Sequence, residues 1–394
     1  MGGTVEEPGK TIAGVYIERR RIRATVEKAI RYFDEVNHRY DLKVEPIAHP
    51  WKREINSENS QNALEELANW LHAKDADKIG PIQGIGIGCF GPFVSLKRIP
   101  MHKDHDPQHD EKIPSEGYGR LADKVSPSPL TGVDLHKIFR SPFAGRYDLP
   151  IAIQTDVNVA ALGEAWKRKT GLDEVVVAIG LDEGTGGGFV GGRNLFDTAL
   201  HPEMGRILRD ILPNDPIRRL PGVSAEREYL GILTGVSAMA ARAAVLCREG
   251  KIRKIPATLR ELMNEKHEEL WGVLARYLAD LCWTCTVVLS PSTIVLGGPM
   301  ANTPGLRDRV SDTFKDILKL HRTPSRFPGG EAPYFEYGEL GGDDYISSAT
   351  VDRLPFGLAG AVYLAWQASM GGAGVWIRDP KTDPNESSPS LDYP

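Results

Sequence analysis

In the segment Gln154-Thr155-Asp156-Val157-Asn158-Val159-Ala160-Ala161-Leu162-Gly163-Glu164, one carboxylate follows a short apolar stretch and precedes a run of small residues. A strand ending there and a helix starting there would put Asp156 at the mouth of a sheet, where α/β proteins bind their ligands. Asp156 could then accept a proton from an attacking hydroxyl. It could equally cap the helix, since Asp is a favoured N-cap residue. Spacing alone leaves both readings open.

Four further segments could build a site around it. In Gly180-Leu181-Asp182-Glu183-Gly184-Thr185-Gly186-Gly187-Gly188-Phe189-Val190, glycines let backbone N–H groups approach phosphate oxygens closely, and Thr185 adds a hydroxyl. A plain hairpin turn is the alternative, but residues 184–188 hold more glycine than a hairpin needs. Ile294-Val295-Leu296-Gly297-Gly298-Pro299-Met300 reads as a strand feeding a glycine pair, a flat ledge for a planar ring. Many strand-to-helix turns look the same. His201-Pro202-Glu203-Met204-Gly205-Arg206 offers Glu203 as an acceptor for ligand hydroxyls, with an exposed turn as the default. Gly88-Cys89-Phe90-Gly91-Pro92 is a strand-end turn that could wall a pocket.

As a set, in this order, these motifs resemble the ROK family of sugar kinases and repressors, and its fructokinase branch in particular. That branch carries an F-G-P turn, a T-D-V-N-x-A-A-L-G-E segment, a glycine-rich phosphate motif, H-P-E-M-G-H, and I-V-L-G-G followed by N-T-P-G-L. The likeness runs from about Gly84 to Leu306, with a late helix at Gly357-Leu358-Ala359-Gly360-Ala361. It implies an α/β, two-domain actin-like ATPase (ribonuclease H-like) fold. The expected domains are residues 1–157, completed by a helix near 357–372, and residues 158–352. It implies ATP-dependent phosphorylation of a sugar hydroxyl (a hexose, fructose or a related sugar), with Asp156 as general base. Gly91, Asn158, Glu203 and Arg206 would border the sugar; Gly184, Thr185, Gly186, Gly187 and Gly188 the phosphates; Gly297 and Gly298 the adenosine. ATP and Mg2+ are the implied cofactors, and a homodimer is an assembly the resemblance allows.

The chain departs from the family in three places. The family opens with a strand ending D-x-G-G-T, its first phosphate motif. Here Gly2-Gly3-Thr4 is either the surviving end of that motif, with residues missing before it, or the loop is lost. The family's zinc site takes a His from E-x-G-H and Cys residues downstream; Arg206 stands at that His and residues 207–235 hold no Cys, so no structural zinc is expected. Arg206 is then a cation for Glu203 or for an anionic group of the substrate. In Glu228-Tyr229-Leu230-Gly231, Leu230 occupies the place of a sugar-binding Glu, and Asp182 and Glu183 crowd the glycine segment. The alternative function is therefore a weakened homologue that binds sugar as a sensor. A repressor would need an extra helix-turn-helix, for which the chain has no room.

Positioning these groups requires alternating strands and helices, an α/β pattern. Strands are expected at 11–17, 82–87, 150–154, 175–180 and 293–298. Helices are expected at 23–38, 62–72, from about 158, at 236–249, 257–265 and 267–289, from about 304, and at 357–368. Residues 96–117 read as an exposed insertion, 209–227 as loop, and 378–394 as a disordered tail. The composition, 41% hydrophobic and 26% charged with net charge -5, is that of a globular chain long enough for two domains, and it lacks the basic stripe of a nucleic-acid binder. No apolar run reaching the ~20 residues of a membrane span is expected. No signal-peptide core is read near the N-terminus, and a cytoplasmic protein is the expectation. Cys282-x-x-Cys285 reads as core packing, and four scattered cysteines do not make a disulfide framework.

Overall fold

The computed structural model describes residues 8–34, 39–77, 80–96, 98–100, 112–114, 118–122, 129–146, 148–196, 202–223, 225–321, 342 and 344–370. Gly2-Gly3-Thr4, His102, His105, His109, His201 and the tail from Arg378 lie outside the described residues.

Eight strands come first: β1 (Lys10–Glu18), β2 (Arg21–Asp34), β3 (Arg39–Pro46), β4 (Trp51–Glu54), β5 (Ile85–Cys89), β6 (Arg98–Pro100), β7 (Lys112–Pro114) and β8 (Ile151–Thr155). Apart from β6 and β7, which pair with each other, they form one sheet of order β3-β2-β1-β5-β8, with β4 added on β2. Seven more follow: β9 (Val175–Leu181), β10 (Thr185–Gly191), β11 (Asn194–Leu195), β12 (Leu208–Asp210), β13 (Arg227–Tyr229), β14 (Thr293–Gly297) and β15 (Ile346–Ser348). The second sheet has the order β11-β10-β9-β14-β15, with β12 and β13 a separate ribbon. In both sheets three antiparallel strands lead into two parallel ones.

Parallel neighbours need crossovers, which the helices supply. These are α1 (Ser60–Asp75), α2 (Leu135–Arg140), α3 (Asp156–Lys167), α4 (Leu230–Thr234), α5 (Val236–Arg248), α6 (Leu259–Asn264), α7 (Glu268–Leu289), α8 (Leu306–His321) and α9 (Leu358–Ser369). Central β1 is buried along Thr11–Ile17, as a strand covered on both faces should be. In α1, Ala63, Leu64, Leu67, Ala68 and Leu71 share one buried face.

Each sheet ends in a helix at the molecular centre: α3 follows β8 directly, and α9 follows β15 after the segment 349–357. The two helices touch through backbone. A Cβ on Gly360 would lie 1.5 Å from the Val159 carbonyl oxygen, and one on Gly163 would lie 2.6 Å from the Gly360 nitrogen. Helix α9 also rests on the first sheet, where a Cβ on Gly86 would meet the Ala361 carbonyl oxygen at 2.1 Å.

Three expectations are corrected. Residues 21–34 are strand, not helix: Ile22, Ala24 and Val26 are fully buried and every residue from Arg21 to Ala29 pairs with β1. Residues 209–227 are not plain loop; they begin and end in β12 and β13, and Asp215 anchors them. The buried Asp215 carboxylate accepts both Nε and Nη2 of buried Arg242 at 2.9 and 2.8 Å and the Tyr277 hydroxyl at 3.0 Å. Third, α7 is long and apolar enough to cross a membrane by composition, contrary to the reading of the bare sequence. More than half of its apolar stretch is buried inside the molecule, Cys282 and Cys285 included, as core packing requires.

Candidate active site

A cleft of about 660 Å³ lies between the edges of the two sheets. Asp156, Gly184, Gly186, Gly297 and Gly298, drawn from three separate motifs, all line it. Asp156 is the first residue of α3, and the cap is its neighbour: Thr155 Oγ1 accepts the Asn158 N–H at 3.3 Å. The side-chain cap of α3 is therefore Thr155 and not Asp156. Asp156 Oδ1 accepts the adjacent Val157 N–H at 2.9 Å. Burial pushes its carboxyl up to about 6; the fields of Asp182 and Glu18 act in the same direction, against the Val157 hydrogen bond.

The glycine-rich segment is both a hairpin and part of the cleft. β9 returns as β10 through Asp182-Glu183-Gly184, and Gly184, Thr185 and Gly186 face the cleft. The Thr185 hydroxyl is 2.6 Å from that of Thr234, which in turn donates to the Leu230 carbonyl. Gly187 and Gly188 are not in the lining. A Cβ on Gly187 would meet Met204 Sδ at 2.1 Å and one on Gly188 the Val157 carbonyl at 2.4 Å, so these two glycines serve packing.

At the opposite end, Gly297 lies flat against the Phe356 ring, where a Cβ would come within 2.3 Å of it. Gly298 has φ +87° with the Leu181 carbonyl oxygen close by, so neither position accepts a side chain. The ledge expected for a planar ring therefore has an aromatic ring beside it.

Gly91 and Glu203 line the cleft as expected. Asn158 and Arg206 do not. Asn158 is buried, with Nδ2 donating to Gln154 Oε1 at 3.1 Å and Oδ1 without a partner. The Arg206 guanidinium sits 5.6 Å over the Tyr229 ring. Leu230 is fully buried in the core beneath.

Two parts of the site were missed. The segment Ala349–Phe356 forms one wall, tied down where Glu164 accepts the Thr350 N–H at 3.0 Å and where Arg353 grips the buried Glu27 at 2.7 and 2.8 Å. No motif marks it. The other is the β1–β2 hairpin, lost when 23–38 was read as helix. It brings Tyr16, Glu18, Arg19, Arg21 and Arg23 into the cleft. Arg19 and Arg20 each reach Glu183 at 2.9 Å, Arg21 pairs with Glu54 at 2.6 Å, and Arg23 with Glu18 at 3.3 Å. A strand hairpin thus stands at the cleft where a first phosphate motif was sought in Gly2-Gly3-Thr4, with arginines at its turn.

The charges do not balance. The lining carries six carboxylates (Glu18, Asp156, Asp182, Glu183, Glu203 and Asp352) and three arginines (Arg19, Arg21 and Arg23), while Arg20 and Lys167 pair with Glu183 and Asp352 from outside it. Burial raises the carboxyls of Asp182 and Glu18, and each adds to the other's rise or to that of Asp156. Glu18 Oε2 is buried and meets the Arg23 guanidinium at 3.3 Å without hydrogen-bond geometry. Among the described residues no three carboxylate, His or Cys side chains come close enough together to hold a metal ion by themselves, so a hard cation here would have to draw ligands from a bound nucleotide as well.

Comparison with known proteins fits this geometry. The family model described as "ROK family" matches residues 51–326. A fructokinase of Pediococcus pentosaceus is 28% identical over 291 residues, covering 73% of this chain and 82% of that protein. A fructokinase of Zymomonas mobilis is 31% identical over 241 residues, covering 60% of this chain and 67% of that protein. Among solved structures, a ROK hexokinase from Thermus thermophilus superposes with a TM-score of 0.54 at 20% identity, covering 92% of this chain and all of that one. A ROK glucokinase from Streptomyces griseus, in complex with glucose and AMPPNP, gives 0.51 at 19%, covering 91% and 99%. A ROK transcriptional regulator gives 0.60 at 12% identity, covering 92% of this chain and 79% of that one. The fold is the two-domain actin-like ATPase fold, and the chain belongs to the ROK family.

Proposed function

We propose that this protein transfers the γ-phosphoryl group of ATP to a sugar hydroxyl, with Asp156 as the general base. The observation that carries this reading is the convergence of Asp156, the Gly184–Gly186 turn and the Gly297–Gly298 ledge on one cleft. Two relatives named fructokinases and a neighbour solved with glucose and AMPPNP support the same class of reaction.

Phosphoryl transfer needs positioning and charge neutralisation more than covalent chemistry. In this reading Phe356 and Gly297 take the adenine, and the backbone of Gly184 and Gly186 faces the phosphates. Asp182 and Glu18 would hold the magnesium ion, which supplies charge neutralisation when bound. The sugar lies against Gly91 and Glu203, with the reacting hydroxyl toward Asp156. A carboxyl at about 6 is ionised at neutral pH yet a stronger base than an ordinary Asp, so it can take the hydroxyl proton as the new P–O bond forms. Leu230, where a Glu was sought, offers the sugar no hydrogen bond. We place fructose among the candidate sugars on the relatives' names alone.

The second reading, a sugar-binding protein without turnover, draws on one observation: Glu183 engages two arginines at the phosphate side of the cleft. An ADP-release assay over hexoses and amino sugars, with Asp156→Asn as control, separates the two. Turnover lost in the variant supports the kinase; nucleotide binding with no turnover on any sugar supports the second reading.

A further inference from the structure

We infer that the Arg19-Arg20 turn is an anion site for the polyphosphate chain of the nucleotide, and that Glu183 is its built-in, displaceable occupant. The inference rests on the proposed ATP reading for the identity of the ligand, though not for the existence of the site. Arg19 Nη1 donates to Glu183 Oε2 and Arg20 Nη2 to Glu183 Oε1, each at 2.9 Å, so each carboxylate oxygen is taken by a different arginine. Two guanidinium groups converging on two oxygens is the donor arrangement that a phosphate also satisfies, and guanidinium suits both anions. The Arg19 guanidinium also lies 6.0 Å from the centre of the Phe90 ring at the cleft wall.

The carboxylate can leave without the loop moving. The Glu183 carbonyl oxygen is packed so tightly on Gly235 that a Cβ there would come to 2.1 Å, and the Asp182 carbonyl accepts the Val236 N–H at 3.2 Å. The backbone of the turn is therefore fixed against the start of α5, and only the Glu183 side chain has to rotate. Its ion pairs are partly solvated, with side-chain exposures of 36% for Arg19, 83% for Arg20 and 35% for Glu183. Pairs of this kind are weak, so a ligand of three or more negative charges can break them. The same carboxylate deters smaller anions, which gain less from the two arginines than Glu183 already supplies. Glu183 thus acts as a filter on ligand charge, and Arg19 and Arg20 act as positioning residues for the phosphates.

The test uses the full chain and inorganic tripolyphosphate without magnesium, measured by titration calorimetry on the wild type, Glu183→Gln and the double variant R19A/R20A. Glu183→Gln is expected to bind tripolyphosphate about 3- to 10-fold more tightly, the range set by two partly exposed ion pairs. The double variant is expected to bind at least about tenfold more weakly than Glu183→Gln, with binding in the wild type falling as salt rises. Adenosine, which carries no phosphate, reports on folding and should bind all three alike. Unchanged or weaker tripolyphosphate binding by Glu183→Gln, or undiminished binding by R19A/R20A, overturns the inference. Failure of ADP release with these binding results intact overturns the kinase reading and leaves the anion site standing.

Discussion

The two sheets share one strand order, yet the hairpins that open them are opposite in charge. β1 returns as β2 through Arg19-Arg20; β9 returns as β10 through Asp182-Glu183-Gly184. Both turns reach the same cleft, one with cationic side chains and the other with glycine backbone and carboxylates. One backbone topology therefore supports two ways of meeting a charged ligand. The helices that follow the sheets differ as well. α3 starts directly at the strand end and puts Asp156 in the cleft, whereas α9 starts after an intervening wall segment and contributes packing.

The sharpest way to break this comparison is Asp156→Asn, which should cut ADP release by about 10³-fold while leaving tripolyphosphate affinity within about twofold, as a general base acts on the transition state alone. Equal loss of both would mean that the α3 start and the hairpins are not separate devices. Next, Arg242→Met in the second half should lower stability by about 3 kcal/mol in urea unfolding, because it strands a buried carboxylate at Asp215. Arg353→Met should cost less, since Arg353 is 42% exposed and water can reach the gap it leaves beside Glu27. Gly360→Ala should cost about 2 kcal/mol by forcing α3 and α9 apart, read as a lower melting temperature with a cleft that still binds adenosine.

The smallest effect is in pH. With Asp156 at about 6, kcat/KM should fall about tenfold between pH 7 and pH 5 as the base is protonated. The stability sign is the reverse of an ordinary paired Asp. The folded carboxyl is raised above its unfolded value, so its contribution is present at low pH and lost as pH climbs through about 6. Asp156→Asn should therefore raise the melting temperature at pH 8 and leave it little changed at pH 4. A variant less stable at pH 8 would contradict the raised carboxyl.

Asp156, Gly184, Gly186, Gly297 and Gly298 were legible in the sequence because strand ends and glycine turns have local signatures, and the α/β class was legible from alternation. Arg21–Asp34 was not, since Arg, Glu, Lys and Ala favour helix and only pairing with β1 and β3 makes the segment a strand. That single misreading hid the arginine turn. The 349–356 wall was hidden for another reason: its place in the cleft depends on anchors at Glu164 and Glu27, almost 200 and more than 300 residues earlier. Gly187 and Gly188 looked like the phosphate-facing glycines around them, and only the packing of Met204 and Val157 tells them apart.

The backbone contact of Gly163 with Gly360 has a mechanical consequence. At that point no side chain separates the two helices, whereas farther along Trp166 of α3 stacks on Tyr363 of α9 at 4.6 Å, so a relative turn of the helices would pivot more easily at the glycines than at the aromatic pair. A methyl group there, far from every ligand, would change how wide the protein can gape.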